Sequence, residues 1–164
     1  MRRDLMSHMR MPTPFDTKLP PPVLLLLLCV LMVWLANAFP QAQMPLPFPI
    51  AIGTALIAVG LILNAYPKTL FVRANTTINP MRPAASTVLL TSGLYRLTRN
   101  PMYLGQALML LGYAYLLRNK LGALAVPLYV AYITLFQILP EERALTAQFG
   151  ARYEEYRKLV RRWL

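Results

Sequence analysis

The chain has one cysteine and one histidine among 164 residues. Cys29 alone excludes an intrachain disulfide framework and a thiolate-ligated metal centre. His8 alone excludes a histidine-built metal site and a Ser-His-Asp triad. Acids are scarce: six Asp and Glu stand against seventeen Lys and Arg, for a net charge of +11. Charged residues of both signs make up only 14% of the chain, against about 25% in soluble domains. No Gly-x-Gly-x-x-Gly turn and no βαβ pattern occurs, so a Rossmann nucleotide site is excluded. No internal repeat is present, and the Pro-rich pieces at 20–22 and 40–49 are short connectors.

What remains is hydrophobic, at 57%. Four apolar runs, Val23–Phe39, about Phe48–Tyr66, Met102–Leu117 and about Leu121–Leu139, approach the ~20 residues that cross a bilayer. The positive charges flank these runs rather than gathering on a soluble domain, which argues for membrane topology and against nucleic acid. A signal peptide is the competing reading of the first run, but the run is long and Ala36-Asn37-Ala38 is a weak cleavage pattern.

Fifteen Lys and Arg lie in the N-terminal tail, the 67–100 connection and the C-terminal tail, against Arg118 and Lys120 in the other connections. That bias predicts both termini on the cytoplasmic side, in what is expected to be a bacterial inner membrane. The expected fold class is therefore all-α, an integral membrane protein with four transmembrane helices and a C-terminal amphipathic interfacial tail. It reads as one membrane domain: a cytoplasmic tail (1–19), two spans (20–66), a cytoplasmic connection (67–100), a helical hairpin closed by Arg118-Asn119-Lys120 (101–139) and a helical tail (140–164). Gly53, Gly60 and Asn64 share one face of the second span, where small residues admit a neighbouring helix and Asn64 can hydrogen-bond across. In the tail, Gly150 suits a helix break, and a second short helix would align Tyr153, Tyr156, Val160 and Trp163 at the interface.

Two polar features stand out against this background. Ser92–Gly105 reads SGLYRLTRNPMYLG. Asn100 is a strong N-cap and Pro101 suits the first helical position, so a helix starts here and its unpaired N–H groups favour an anion beside Arg96 and Arg99. Glu141-Glu142 sits where the last span is expected to leave the membrane, a costly place for a carboxylate without a partner. An antiparallel hairpin brings Arg99, Asn100 and Tyr103 beside these two glutamates. Physics alone also allows a boundary ion pair, an arginine snorkelling to lipid phosphate and an aromatic belt.

The segment Thr87–Gly105 (TVLLTSGLYRLTRNPMYLG), taken with the ending EERALTAQFGARYEEYRKLVRRWL, resembles the isoprenylcysteine carboxyl methyltransferase family, particularly its bacterial members. These are related to phospholipid methyltransferases. The resemblance covers about residues 87–164 and implies methyl transfer from S-adenosylmethionine to a lipophilic acceptor within the bilayer, without a metal. It assigns Thr87, Val88, Leu89, Leu90, Tyr95, Asn100, Pro101, Met102, Tyr103 and Glu141 to the cofactor. Asn100 replaces the His of the eukaryotic members, and Gln137 replaces the Arg that serves their acceptor, so Gln137 is the candidate substrate contact. Arg99 and Glu142 are the candidate catalytic pair; Arg99 is free to hold either the cofactor carboxylate or an acceptor carboxylate.

Two rival readings remain open. Membrane sterol reductases share an Arg-His-Pro-x-Tyr helix start and take NADPH, but they carry an Arg-Asp pair where this chain has Glu-Glu. A non-catalytic membrane scaffold would make the polar cluster boundary packing only.

Overall fold

The computed structural model describes residues 19–73 and 89–164. The N-terminal tail through residue 18 and residues 74–88 of the 67–100 connection, Thr87 and Val88 among them, lie outside these residues. Among the described residues the fold is all-helical. Its helices are α1 (Pro21–Ala38), α2 (Pro49–Arg73), α3 (Pro101–Leu117), α4 (Lys120–Ala123), α5 (Ala125–Ile133), α6 (Leu139–Phe149) and α7 (Ala151–Leu159). Three helical stretches are long and apolar enough to cross a membrane: Pro21–Ala38, Pro49–Leu70 and Lys120–Phe149. α3 is shorter.

α1 begins at a proline pair, and Pro21 occupies the first turn, where a missing N–H costs nothing. Its Leu24, Leu28 and Met32 recur every four residues and face inward, while Leu26, Leu27 and Val30 face out. The inward stripe meets Tyr103, Ala107, Leu110 and Ala114 of α3 and Ala125, Tyr129 and Ile133 of α5 in one core. Inside it, Tyr129 Oη donates to Gln106 Oε1, so both polar groups are satisfied away from water.

α2 and α3 pack backbone on backbone. A Cβ on Gly60 would stand 2.6 Å from the Gly105 carbonyl oxygen, and one on Gly112 would stand 2.6 Å from that of Gly53. The two glycine pairs, seven residues apart on each helix, form an antiparallel seam. Lipid is as apolar as leucine, so such close packing, rather than burial from water, holds the helices together. Asn64 Nδ2 donates to the Met102 carbonyl at 3.2 Å, the cross-helix bond expected of it.

At the opposite end, Arg118 takes a left-handed conformation (φ 50°) and ends α3. Asn119 then caps α4, accepting from Leu121 and Gly122 N–H at 3.1 Å each. Its Nδ2 donates to the Phe39 carbonyl at 3.0 Å, tying the hairpin turn to the end of α1.

Three boundaries differ from the sequence expectation. α2 does not stop at Tyr66 but continues through Pro67, which is fully buried. Membrane helices tolerate an internal proline where the surrounding packing accommodates it. The helix of the last span does not stop at Leu139: α4 to α6 form one helical stretch that runs on to Phe149. Pro140 is absorbed by a π-helical turn at Thr134–Ile138, since the wider turn relieves the clash of the ring with the preceding turn. The tail breaks at Gly150 (φ 54°) as expected. α7 then ends at Leu159 and the chain turns extended at Val160. The predicted helical stripe through Trp163 is therefore absent. Tyr153, Tyr156 and Val160 instead turn inward against Tyr95.

Candidate active site

The start of α3 is assembled by the chain's C-terminal strap, residues 160–164. A 3-10 turn, Gly93–Arg96, leads in and buries Tyr95. Tyr156 Oη donates to the Tyr95 carbonyl at 2.6 Å. The strap then lies along residues 98–100. Arg99 N–H donates to the Arg161 carbonyl at 3.0 Å. Thr98 Oγ1 and Asn100 Nδ2 both donate to the Arg162 carbonyl, at 3.2 and 2.9 Å. Trp163 Nε1 reaches Thr134 Oγ1 at 3.2 Å, pinning the strap to the π-turn. Asn100 holds the N-cap position, but its side chain makes no capping bond. Its Nδ2 donates to the strap carbonyl instead, and the first turn of α3 is left without an N-cap bond from Asn100.

The glutamates meet this start from α6. Glu142 lies 22 residues along the helical stretch from Lys120, or about 33 Å at 1.5 Å per residue, close to a hydrocarbon thickness of ~30 Å. Tyr103 Oη donates to Glu141 Oε1 at 2.5 Å. Glu142 is buried and faces two guanidinium groups. Arg162 forks onto it, with Nε to Oε1 and Nη2 to Oε2, both at 2.9 Å. Arg99 Nη1 stands 3.1 Å from Oε1, within ion-pair range. That contact is not aligned as a hydrogen bond, and buried Arg99 Nε and Nη1 have no hydrogen-bond partner among the described residues.

Electrostatics outside the spans follow from this arrangement. The fork onto Glu142 raises the pKa of Arg162. Tyr153 is pushed up to about 12, chiefly by burial and also by the Glu142 charge, while neighbouring Arg99 acts the other way.

Arg99, Tyr103, Glu141 and Glu142, about forty residues apart in sequence, are thus brought together. Asn100 and Pro101 border them at the start of α3, and the Met102 carbonyl is engaged by Asn64. Leu89 and Leu90 pack against the Tyr95–Tyr153–Tyr156 cluster. Gln137 is fully buried in the π-turn, with Nε2 donating to the Leu19 carbonyl at 3.1 Å. It stands one turn from Glu141 on the same helix. Arg162 was missed from sequence, because in the run Arg161-Arg162 nothing distinguishes the cation that turns inward. Thr98 gave no signal either.

Three helical stretches long and apolar enough to span a bilayer, with buried guanidinium and carboxylate groups at one end of the bundle, are the marks of a membrane protein with a polar site at one end of its helices. Residues 48–152, well over half of the chain, match the phospholipid methyltransferase family. The chain belongs to this family of membrane methyltransferases, which bears out the isoprenylcysteine methyltransferase-like resemblance. An uncharacterized protein of Haemophilus influenzae is 43% identical over 63 residues, covering 38% of this chain and the whole of that protein. A protein-S-isoprenylcysteine O-methyltransferase of Schizosaccharomyces pombe is 37% identical over 73 residues, covering 44% of this chain and 31% of the yeast protein. The chain thus spans under a third of the yeast enzyme's length.

Proposed function

We infer that the protein is an S-adenosylmethionine-dependent methyltransferase acting on a lipophilic acceptor. The observation that carries this reading is a buried Arg99, incompletely hydrogen-bonded and facing Glu142, with the next residue, Glu141, held by the Tyr103 hydroxyl. An amino-acid group needs such a pair, a guanidinium for its carboxylate and a carboxylate for its ammonium. The residues present therefore fit S-adenosylmethionine. When bound, that cofactor supplies a methyl group already activated on a sulfonium, so the protein's task is positioning more than acid–base chemistry.

Arg99 and the uncapped first turn of α3 are assigned to the cofactor carboxylate. Glu141, oriented by the Tyr103 hydroxyl, is assigned to the ammonium. Asn100, Pro101 and Met102 form the rim at the helix start, with Tyr95, Leu89 and Leu90 on its far side. Glu142 holds Arg99 rather than reacting. The outward Leu, Ile and Val faces of the helices open laterally to lipid, from which the acceptor enters, and Gln137 lies one turn deeper for its polar group. Four spans with both termini on one side of the membrane complete the reading, with α3 as the short third span in a single domain of residues 1–164.

Calorimetric titration of the purified protein in detergent with S-adenosylhomocysteine and, separately, with NADPH tests it. Binding of the first and not the second is expected, and it should be abolished in Arg99→Ala and in Glu141→Ala. Unchanged affinity in both variants would overturn the site, and binding of NADPH alone would overturn the activity.

A further inference from the structure

Glu142 has two oxygens and two guanidinium neighbours that do not share it equally. Arg162 occupies both oxygens in a fork. Arg99 reaches only one, through Nη1 and without hydrogen-bond alignment, and neither its Nε nor its Nη1 makes a hydrogen bond among the described residues although its side chain is only 10% exposed. A buried cation with idle donors is expensive unless something else uses them. Without Arg162, Oε2 would be left without that partner, and Arg99, already 3.1 Å from Oε1, would turn to fork the carboxylate itself. Planar bidentate pairing is the preferred arrangement of arginine with carboxylate.

We propose that Arg162 is a positioning residue: by saturating Glu142 from the C-terminal strap, it keeps the Arg99 guanidinium open for the carboxylate of the bound amino-acid group. This rests on the reading that the site takes S-adenosylmethionine. The strap is built for the task. Its Arg161 and Arg162 carbonyls are bonded to the backbone of Arg99 and to the side chains of Thr98 and Asn100, so the same segment sets both the height of Arg99 and the occupant of Glu142. Trp163, anchored on Thr134, fixes its far end. The site is therefore completed by the last residues of the chain, about sixty positions beyond the helix start they serve.

The test compares S-adenosylmethionine with its decarboxylated form, by calorimetric titration of full-length protein in detergent. Wild type is expected to prefer the carboxylate-bearing form by about tenfold or more, the worth of one charge-assisted hydrogen bond. Arg162→Ala should lose most of that preference while still binding the decarboxylated form, because Arg99 is then captured by Glu142. Arg162→Lys, which keeps the charge and loses the fork, should fall between. Adding Glu142→Gln to Arg162→Ala removes the captor and should restore the preference, which a purely structural role of Arg162 would not allow. Equal weakening of both ligands in Arg162→Ala, or no recovery in the double variant, overturns the proposal. So does a wild type that binds both forms equally, and that result leaves cofactor use itself standing. A wild type that binds neither form overturns the methyltransferase reading, and the role of Arg162 falls with it.

Discussion

Replacing Glu142 with alanine should be the most damaging single change at the site. Glu142 is 8% exposed, and the side chains of its partners Arg99 and Arg162 are 10% and 34% exposed. Removing one partner of a buried ion pair costs about 3–5 kcal/mol, because the remaining charge stays uncompensated. Here the two cations differ. Arg162, a third exposed, can swing its head to water, whereas the buried Arg99 side chain has no such route. The loss therefore falls at the lower end, about 3 kcal/mol. For a chain of this size that corresponds to a fall in Tm of about 6–12 °C. Thermal unfolding in one detergent, followed by circular dichroism, reads it, with exposed Glu155→Ala as the control. If the two variants melt within about 1 °C of each other, as two surface changes would, Glu142 does not neutralise a buried arginine and the electrostatics argued for the site are wrong.

Other consequences are equally direct. Gly60→Ala drives a Cβ to 2.6 Å from a backbone oxygen of the neighbouring helix, whereas Gly122→Ala meets Met32 at an ordinary 3.6 Å. The first should lose about 1–3 kcal/mol by overpacking and the second almost nothing, as compared by unfolding in detergent. Asn119→Ala removes the cap of α4 and strands the Phe39 carbonyl. A loss of about 2–4 kcal/mol is expected, with S-adenosylhomocysteine affinity unchanged because the turn lies at the far end of the bundle. Tyr103→Phe deletes the hydrogen bond that orients Glu141, and titration should show cofactor binding weakened by about tenfold or more.

How far sequence carries depends on the kind of interaction. The seam of Gly53, Gly60 and Asn64 was readable because helical spacing puts them on one face, and Asn64 indeed bonds Met102. The meeting of Arg99 and Tyr103 with Glu141 and Glu142 followed from a three-residue turn, which leaves antiparallel helices no other partner. By contrast, Pro67 and Pro140 looked like boundaries because proline breaks isolated helices. Packing at Pro67 and a π-turn before Pro140 carry the helices through, and neither leaves a trace in composition. The C-terminal strap was hidden for a related reason. Tyr153, Tyr156, Val160 and Trp163 fit an interfacial stripe as well as they fit an inward fold. Only the extended backbone at Val160, set by tertiary contacts, decides between the two and delivers Arg162 to Glu142.

The central claim is methyl transfer to a molecule dissolved in the bilayer, and it has a direct measurement. Purified protein is incubated with methyl-labelled S-adenosylmethionine and a lipid extract, and label is followed into the organic phase. Label is expected in a lipid-soluble product with wild type, and none with Arg99→Ala or Glu141→Ala. Organic-phase label that is the same in wild type and in both variants, or absent from all three despite a folded wild type, would contradict it.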